Sequence, residues 1–172
     1  MLDREPYAEL PELPSFTLTS EDVAEGRPLG QAQVSGILGA GGEDVSPQLS
    51  WSGAPEATKS YVVTMFDPDA PTPSGFWHWC LSGVPADVTS LERGAASHPP
   101  AGSVRHRNDA GTDGFVGAAP PPGHGPHRYM LCVTAVDVEH LDVDGSASPA
   151  VVNFQLSGHG IARALLTGTY ER

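Results

Sequence analysis

The sequence predicts a single mostly β domain of antiparallel strands, with a small helical element near its C-terminus. Its apolar residues fall in short runs rich in β-branched and aromatic side chains, which is typical of strands. The 20 glycines and 17 prolines among 172 residues supply many turns between such strands. A chain of this length can bury roughly two-thirds of its unfolded surface in one core. We therefore expect one domain over residues 15–172, preceded by an N-terminal extension over residues 1–14.

The strand signals differ in strength along the chain. The strongest are at 60–66, 76–83 and 128–137, where β-branched and aromatic residues dominate. Weaker strands or extended segments are expected at 16–19, 31–34, 46–51, 103–107 and 164–170, with a glycine-rich loop at 36–42. The stretch from 93 to 126 is rich in Gly, Pro, Ala and His. A segment of this length with little secondary structure usually carries function, so we expect a functional loop there.

The helix signal is confined to the C-terminal part. Ser148 and Pro149 provide an N-cap followed by proline at the first helical position. The apolar positions that follow fall at roughly helical spacing, at Val151, Phe154, Ile161 and Leu165. Glycines at 158 and 160 weaken the middle of this helix.

The formal net charge of −12, with only nine Lys and Arg, excludes several kinds of partner. Such a field repels phosphate backbones and anionic lipid surfaces, so we expect neither nucleic-acid binding nor electrostatic docking on acidic membranes. We also expect no stable membrane insertion. No segment reaches the roughly 18 apolar residues of a membrane span, and the acidic N-terminus does not resemble a signal peptide. We expect a cytoplasmic protein in which Cys80 and Cys132 are buried free thiols.

Two carboxylates lie where the first strong strand ends, in the run Asp-Pro-Asp-Ala-Pro at 67–71. The prolines restrict the backbone on either side, so both carboxylates point in fixed directions. Asp69 could accept a hydrogen bond from an imidazole or from a ligand ammonium, while Asp67 could lock the turn. The alternative is that both carboxylates only satisfy turn amides, as aspartate commonly does.

Two imidazoles complete the set of candidate groups. In Trp77-His78-Trp79, strand alternation would turn both tryptophans to one face and His78 to the other, either into the core or toward a ligand. His127 and Tyr129 share a side of the next strong strand, and the glycines just before it allow close approach of a ligand. Arg128 would face the other side and form a structural ion pair.

These groups are compatible with more than one kind of site. Two Asp and two His could bind a divalent metal, but no short Cys/His or helical His spacing supports it, so we expect no metal and no cofactor. A small hydrolase or lyase using an Asp–His pair as acid and base is the alternative, although no nucleophile motif is evident. The residues favour binding over turnover.

The motifs resemble those of the phosphatidylethanolamine-binding protein family, also called Raf-kinase-inhibitor-like proteins, and most closely its bacterial YbhB/YbcL branch. The resemblance extends over about 16–170. It rests on Asp-Pro-Asp-Ala-Pro at 67–71, on Trp-His-Trp at 77–79, and on Pro-Pro-x-Gly-x-Gly-x-His-Arg-Tyr at 120–129. Three flanking pieces agree with it, at 45–51, 108–109 and 168–170. Two long motifs in the right order make this a specific signal.

The resemblance implies a Greek-key, sandwich-like fold and a non-enzymatic pocket for small anions such as phosphate, acetate or the phosphoethanolamine headgroup. Carried over to this sequence, the pocket residues are Asp67, Asp69, Pro71, His78, Pro120, His127 and Tyr129. It also implies a regulatory or inhibitory role toward a kinase or protease, and a homodimer. Two positions depart from the family pattern, with Ala119 in place of the usual Gly and Phe115 in place of a common Tyr.

Overall fold

Two antiparallel β-sheets and one α-helix form the fold in the computed structural model, which describes residues 4–172. In chain order the strands are β1 Thr17–Thr19, β2 Leu49–Ser52, β3 Ser60–Asp67, β4 Phe76–Pro85, β5 Ser90–Leu91, β6 Val104–Arg105, β7 His127–Val136 and β8 Gly160–Tyr170. The helix α1, Pro149–His159, lies between β7 and β8 along the chain. The smaller sheet has the order β1-β2-β5 and the larger one β6-β4-β3-β7-β8. The predicted mostly β, antiparallel fold class is confirmed.

The main core lies between the two sheets. Leu49, Trp51 and Leu91 from the smaller sheet pack in one cluster with Met65 and Trp79 of the larger one. Each side chain of this size contributes roughly 1.5–3 kcal/mol when fully buried. A second cluster, on the opposite face of the large sheet, joins Val62, Cys80 and Val136 to Val152 of α1.

Both cysteines are free and buried, as the sequence indicated. Cys132 packs with Met130 and with Tyr7, so residues before position 15 also contribute to the packed structure. Burial raises the pKa of the Cys132 thiol to about 11. Within residues 4–172 no helix has the length and apolar character needed to cross a membrane.

The C-terminal helix is shorter than its apolar spacing predicted. Ser148 caps α1 by accepting a hydrogen bond from the Val151 backbone, as expected, but the helix ends at His159. Ile161 and Leu165 lie on β8 instead. The strand pairs with β7 from Gly160 to Tyr170, and this long ladder outweighs a helical pattern already weakened by two glycines.

The predicted strand at 31–34 is also wrong. Gln31–Gln33 form a single 3₁₀ turn, in which the Gln33 amide donates to the Gly30 carbonyl at 3.0 Å. Val34 alone makes an isolated bridge with Ala118. This bridge ties the chain before the glycine-rich loop to the segment that precedes β7.

The topology brings three strand ends to one edge of the large sheet. β3 is the central strand, and β4 and β7 flank it antiparallel on either side. The C-terminal end of β3 at Asp67 therefore lies beside the beginnings of β4 at Phe76 and of β7 at His127. The two segments that carry the candidate groups thus converge, although they are far apart in sequence.

Candidate functional site

A small cavity of about 220 Å³ opens at this edge of the large sheet. It is lined by Leu38, Asp67, Ala70, Pro71, Thr72, Phe76, His78, Ala119, Pro120, Pro121, His127 and Tyr129. Six of the seven residues predicted from the sequence belong to this lining, and Asp69 is the exception. The cavity is smaller than the roughly 300–1,000 Å³ of a drug-sized pocket, so it suits a small ligand.

Other concavities carry a poorer set of chemical groups. Two lie around Tyr7 and Arg163 and are lined mainly by apolar side chains, and a third lies between Ser90 and Pro100. None of these three combines a carboxylate with two imidazoles. We therefore take the cavity at the end of β3 as the candidate site.

Asp67 and His127 form a buried pair at the floor of the site. The Nδ1 of His127 lies 2.8 Å from Oδ2 of Asp67, and both side chains are at most 5% exposed. The other oxygen of Asp67 accepts the Asp69 backbone amide at 2.8 Å. A carboxylate can only accept, so the proton of this pair resides on Nδ1 of the imidazole. Asp67 is thus the residue that orients His127.

The prediction that Asp69 orients an imidazole in the pocket is not supported by the geometry. Its carboxylate is fully buried and binds Arg128, with Oδ2 2.8 Å from Nε and Oδ1 3.1 Å from Nη2. The backbone amide of Arg128 also donates to Asp69 at 3.0 Å. Because Arg128 alternates with His127 and Tyr129 along β7, this pair lies on the other side of the strand. The expected structural ion pair of Arg128 is therefore present.

A β-bulge in β4 directs His78 into the cavity. Trp79 pairs with Met65 and Trp77 with the adjacent Phe66, so His78 is an extra residue in the ladder. The two tryptophans consequently face opposite sides, with Trp79 in the main core and Trp77 packed on Phe66 at 4.3 Å between ring centroids. The predicted simple alternation of Trp77, His78 and Trp79 is wrong at this point.

Hydrogen bonding sets the tautomer of His78. Its Nδ1 lies 2.9 Å from the Val116 carbonyl oxygen, which can only accept, so Nδ1 carries the proton. Burial lowers the pKa of His78, against the opposing effects of that carbonyl and of the Asp67 charge. In its neutral form the ring therefore has an unprotonated Nε2. This nitrogen can take up a proton and then donate it in a hydrogen bond to an anion.

Tyr129 places a hydroxyl beside the two imidazoles. Its ring meets His78 edge-on, with centroids 5.2 Å apart. The hydroxyl is buried and has no hydrogen-bond partner among the described residues. Burial, followed by the nearby Asp67 charge, raises the pKa of Tyr129 well above its usual value. The hydroxyl is therefore protonated and able to donate to a bound ligand.

Two residues that the sequence did not single out hold the rim of the cavity. Asp44 accepts backbone amides from Gly36, Ile37 and Gly117, at 2.7–3.0 Å. Burial would raise the pKa of Asp44, but these donors outweigh that effect and lower it. Arg172 donates from Nε to the Pro120 carbonyl at 2.7 Å and from Nη1 to Gly39 at 3.0 Å. Together they tie the loop at 36–44 to the segment before β7.

The lining has a distinct charge pattern. Asp67 is its only carboxylate, and within the described part of the chain no lysine or arginine lines the cavity. Residues 4–172 also contain no group of three His, Cys, Asp or Glu side chains placed to hold a metal ion. Among the lining residues, therefore, only a protonated imidazole can carry a positive charge.

The two departures from the family pattern lie in different places. Ala119 lines the cavity, so its methyl group reduces the space inside it. Phe115 lies outside the lining and meets Trp79 edge-on, with ring centroids 6.0 Å apart. The absence of a tyrosine hydroxyl at position 115 therefore affects packing against the core and does not change the lining of the cavity.

Comparison with known proteins identifies the same family. The family model described as phosphatidylethanolamine-binding protein matches residues 19–171. Escherichia coli YbcL is 44% identical over 161 residues, covering 91% of this chain and 88% of YbcL. Escherichia coli YbhB is 43% identical over 157 residues, covering 90% of this chain and 99% of YbhB.

The structural comparison agrees with the sequence comparison. The crystal structure of Escherichia coli YbcL superposes with a TM-score of 0.89 at 43% identity, over 92% of this chain and 99% of that one. A homologue from Chlamydia trachomatis superposes with a TM-score of 0.78 at 31% identity, over 92% of this chain and 98% of that one. This chain therefore belongs to the phosphatidylethanolamine-binding protein family.

Proposed function

We propose that the protein binds a small oxyanion in the cavity at the end of β3. Its ligand would be inorganic phosphate, acetate or the phosphoryl group of phosphoethanolamine. The observation that carries the proposal is the convergence of two imidazoles, His78 and His127, on one small cavity beside the unpartnered hydroxyl of Tyr129. Burying a hydroxyl without a partner costs about 1–3 kcal/mol, and a bound oxyanion would satisfy it.

The charge pattern supports a particular mode of binding. An oxyanion next to the Asp67 carboxylate needs a compensating positive charge, and only His78 or His127 can supply it within the lining. We therefore propose that the anion binds together with a proton. For phosphoethanolamine, the remaining lone pairs of Asp67 could accept the ammonium group.

Titration with inorganic phosphate, followed through the histidine ring signals in NMR spectra, tests this proposal. The expected result is saturable shifts at His78 and His127. Replacing Tyr129 with phenylalanine should weaken phosphate binding about three- to tenfold, because one hydrogen bond to the anion is lost. The same variant should keep the free energy of unfolding within about 1 kcal/mol, since the hydroxyl has no protein partner to lose. Absence of ring shifts in the wild type would rule out the cavity as a phosphate site.

Affinity is expected to rise as the pH falls. Burial keeps the pKa of His78 below its ordinary value in the free protein, so binding of an anion must raise that pKa and take up a proton. Sulfate is a suitable probe because its charge stays constant over this range. Its affinity should increase by up to about tenfold per pH unit between about pH 8 and about pH 6. Calorimetry in buffers of different ionisation enthalpy measures the same proton uptake, and an affinity independent of pH would contradict it.

The cavity supports binding better than turnover. Neither serine nor cysteine belongs to its lining as described in residues 4–172. The hydroxyl of Thr72, which does line it, donates to the Gly75 carbonyl at 2.6 Å. The Asp67–His127 pair could act as a general base, so a hydrolase or lyase remains the alternative. Turnover of generic phosphate and carboxylic esters that is abolished by Asp67→Asn would favour it.

A regulatory or inhibitory role toward a kinase or protease is a further part of this proposal. It rests on the resemblance to the family rather than on a geometric feature. Capture of protein partners from native lysate by wild type and by His127→Ala would test it. A partner lost with His127→Ala would connect regulation to the cavity, and a partner retained by the variant would place the contact elsewhere.

A further inference from the structure

His124 contacts the site from outside the cavity. Its Nδ1 lies 2.7 Å from Nε2 of His127, and the two ring centroids are 5.0 Å apart. His124 is exposed and does not line the cavity, whereas His127 is 1% exposed and does. With Nδ1 bound to Asp67, both ring nitrogens of His127 are engaged within the protein.

The positions of the protons make this contact incompatible with a bound anion. His127 carries its proton on Nδ1 because Asp67 can only accept, so Nε2 accepts a hydrogen bond from Nδ1–H of His124. An anion needs the opposite arrangement, in which Nε2 is protonated and donates. While His124 stays in place, that Nε2–H would either face the Nδ1–H of His124 at the same short distance or, with His124 in its other tautomer, be donated to the bare Nδ1 of His124 instead of to the anion. His124 and the anion therefore compete for one nitrogen atom.

The loop that carries His124 allows the side chain to leave. Gly123 and Gly125 flank it at φ values of 75° and 84°, which glycine adopts without strain. Two hydrogen bonds fix the backbone of this loop. The Gly123 amide donates to the Arg172 carbonyl at 2.8 Å, and the His124 amide donates to the Pro121 carbonyl at 3.1 Å. Both bonds involve only the main chain. The imidazole of His124 lies at the protein surface, so it can replace its hydrogen bond to His127 with one to water.

We propose that His124 is a latch that occupies Nε2 of His127 in the ligand-free protein and is displaced when the anion binds. The latch rests on the proposed function, since it regulates the same cavity. It makes His124 an affinity-setting residue of the site, although it does not contact the ligand. Opening the latch is part of every binding event, so the measured affinity is lower than that of the open site.

Calorimetric titration with inorganic phosphate tests the latch. We compare wild type, His124→Ala and His98→Ala, the last being a matched exposed histidine outside the cavity lining. Loss of one competing hydrogen bond should make His124→Ala bind phosphate roughly two- to tenfold more tightly, whereas His98→Ala should equal wild type. In spectra of the ligand-free proteins, the Nε2 signal of His127 should shift in His124→Ala alone.

Each other outcome has a definite meaning. Equal affinity in His124→Ala and His98→Ala would overturn the latch and leave the cavity proposal intact. Weaker binding in His124→Ala would show that His124 donates to the anion, which also overturns the latch. Absence of phosphate binding in all three proteins would contradict the cavity proposal and the latch with it. Since His124 is exposed, its removal leaves the fold intact, which urea unfolding of the variant verifies.

Discussion

Replacing Arg128 with methionine is expected to lower the free energy of unfolding by about 3–5 kcal/mol. The Asp69 carboxylate is 0% exposed and binds Nε and Nη2 of Arg128. Methionine retains much of the apolar stem but removes the guanidinium, so the variant must bury a carboxylate without its cation or protonate it. Breaking a buried ion pair from one side is among the most destabilising single changes in proteins.

Urea unfolding measures this effect, and Arg107 provides the matched control. Arg107 and Asp113 form an exposed pair at 3.6 Å, so Arg107→Met should change the free energy of unfolding by only about 0–1 kcal/mol. The double variant Asp69→Asn/Arg128→Met should recover much of the loss, since no charge is left buried. Equal effects of Arg128→Met and Arg107→Met would mean that the buried pair does not support this end of the sheet.

The different roles of Asp67 and Asp69 explain how far the sequence could predict the site. The sequence placed both carboxylates at the end of a strong strand, which is correct. Which of them meets an imidazole depends on the pairing of β3 with β7, and the local sequence does not contain that register. The alternation of His127, Arg128 and Tyr129 did carry a usable signal. It predicted that Arg128 lies on the side of β7 opposite the cavity. A partly buried cation there requires a carboxylate partner, and this partner is Asp69.

His78 illustrates a second limit. Period-two alternation holds only while a strand is regular, and the bulge in β4 adds a residue between Trp77 and Trp79. Because a bulge is a property of two paired strands, a single strand's sequence could not reveal it. His124 escaped prediction for a related reason. An exposed histidine in a glycine-rich turn has no periodicity to place it, and only the path of the loop brings it to His127.

The strands themselves were easier to predict. β3, β4 and β7 are long and almost entirely buried, so their sequences are strongly apolar and β-branched. The boundary between α1 and β8 was missed because apolar residues at helical spacing continue from α1 into β8, where alternate residues are buried instead, and two glycines lie close to the junction. Tertiary pairing with β7 decides that boundary, and local propensity is too weak to oppose it.

Replacing Asp67 with asparagine is expected to weaken phosphate binding by about 10- to 100-fold. The two oxygens of Asp67 accept from the Asp69 amide and from Nδ1 of His127, each at 2.8 Å. Asparagine has only one accepting oxygen. If it keeps the Asp69 amide, its NH₂ group faces Nδ1 of His127 and forces the proton to Nε2. The neutral imidazole can still donate Nε2–H to the anion, but the NH₂ group blocks a second proton on Nδ1. His127 then cannot offer a charge-assisted hydrogen bond, and a neutral hydrogen bond to the anion is weaker.

A second Asp–His pair in the same protein provides the control. It distinguishes the effect of Asp67 on His127 from the effect of removing one negative charge anywhere in the protein. Asp137 and His159 are half-exposed and joined at 2.9 Å, away from the cavity lining. Asp137→Asn removes the same charge from the same kind of pair, so it should bind phosphate as wild type does. In Asp67→Asn alone, the NMR signals should show the proton of His127 on Nε2 instead of on Nδ1. Phosphate affinity unchanged in Asp67→Asn, with the proton on Nε2, would show that His127 does not supply the charge that holds the anion. His78 would then be the protonated partner, because it is the other imidazole that lines the cavity.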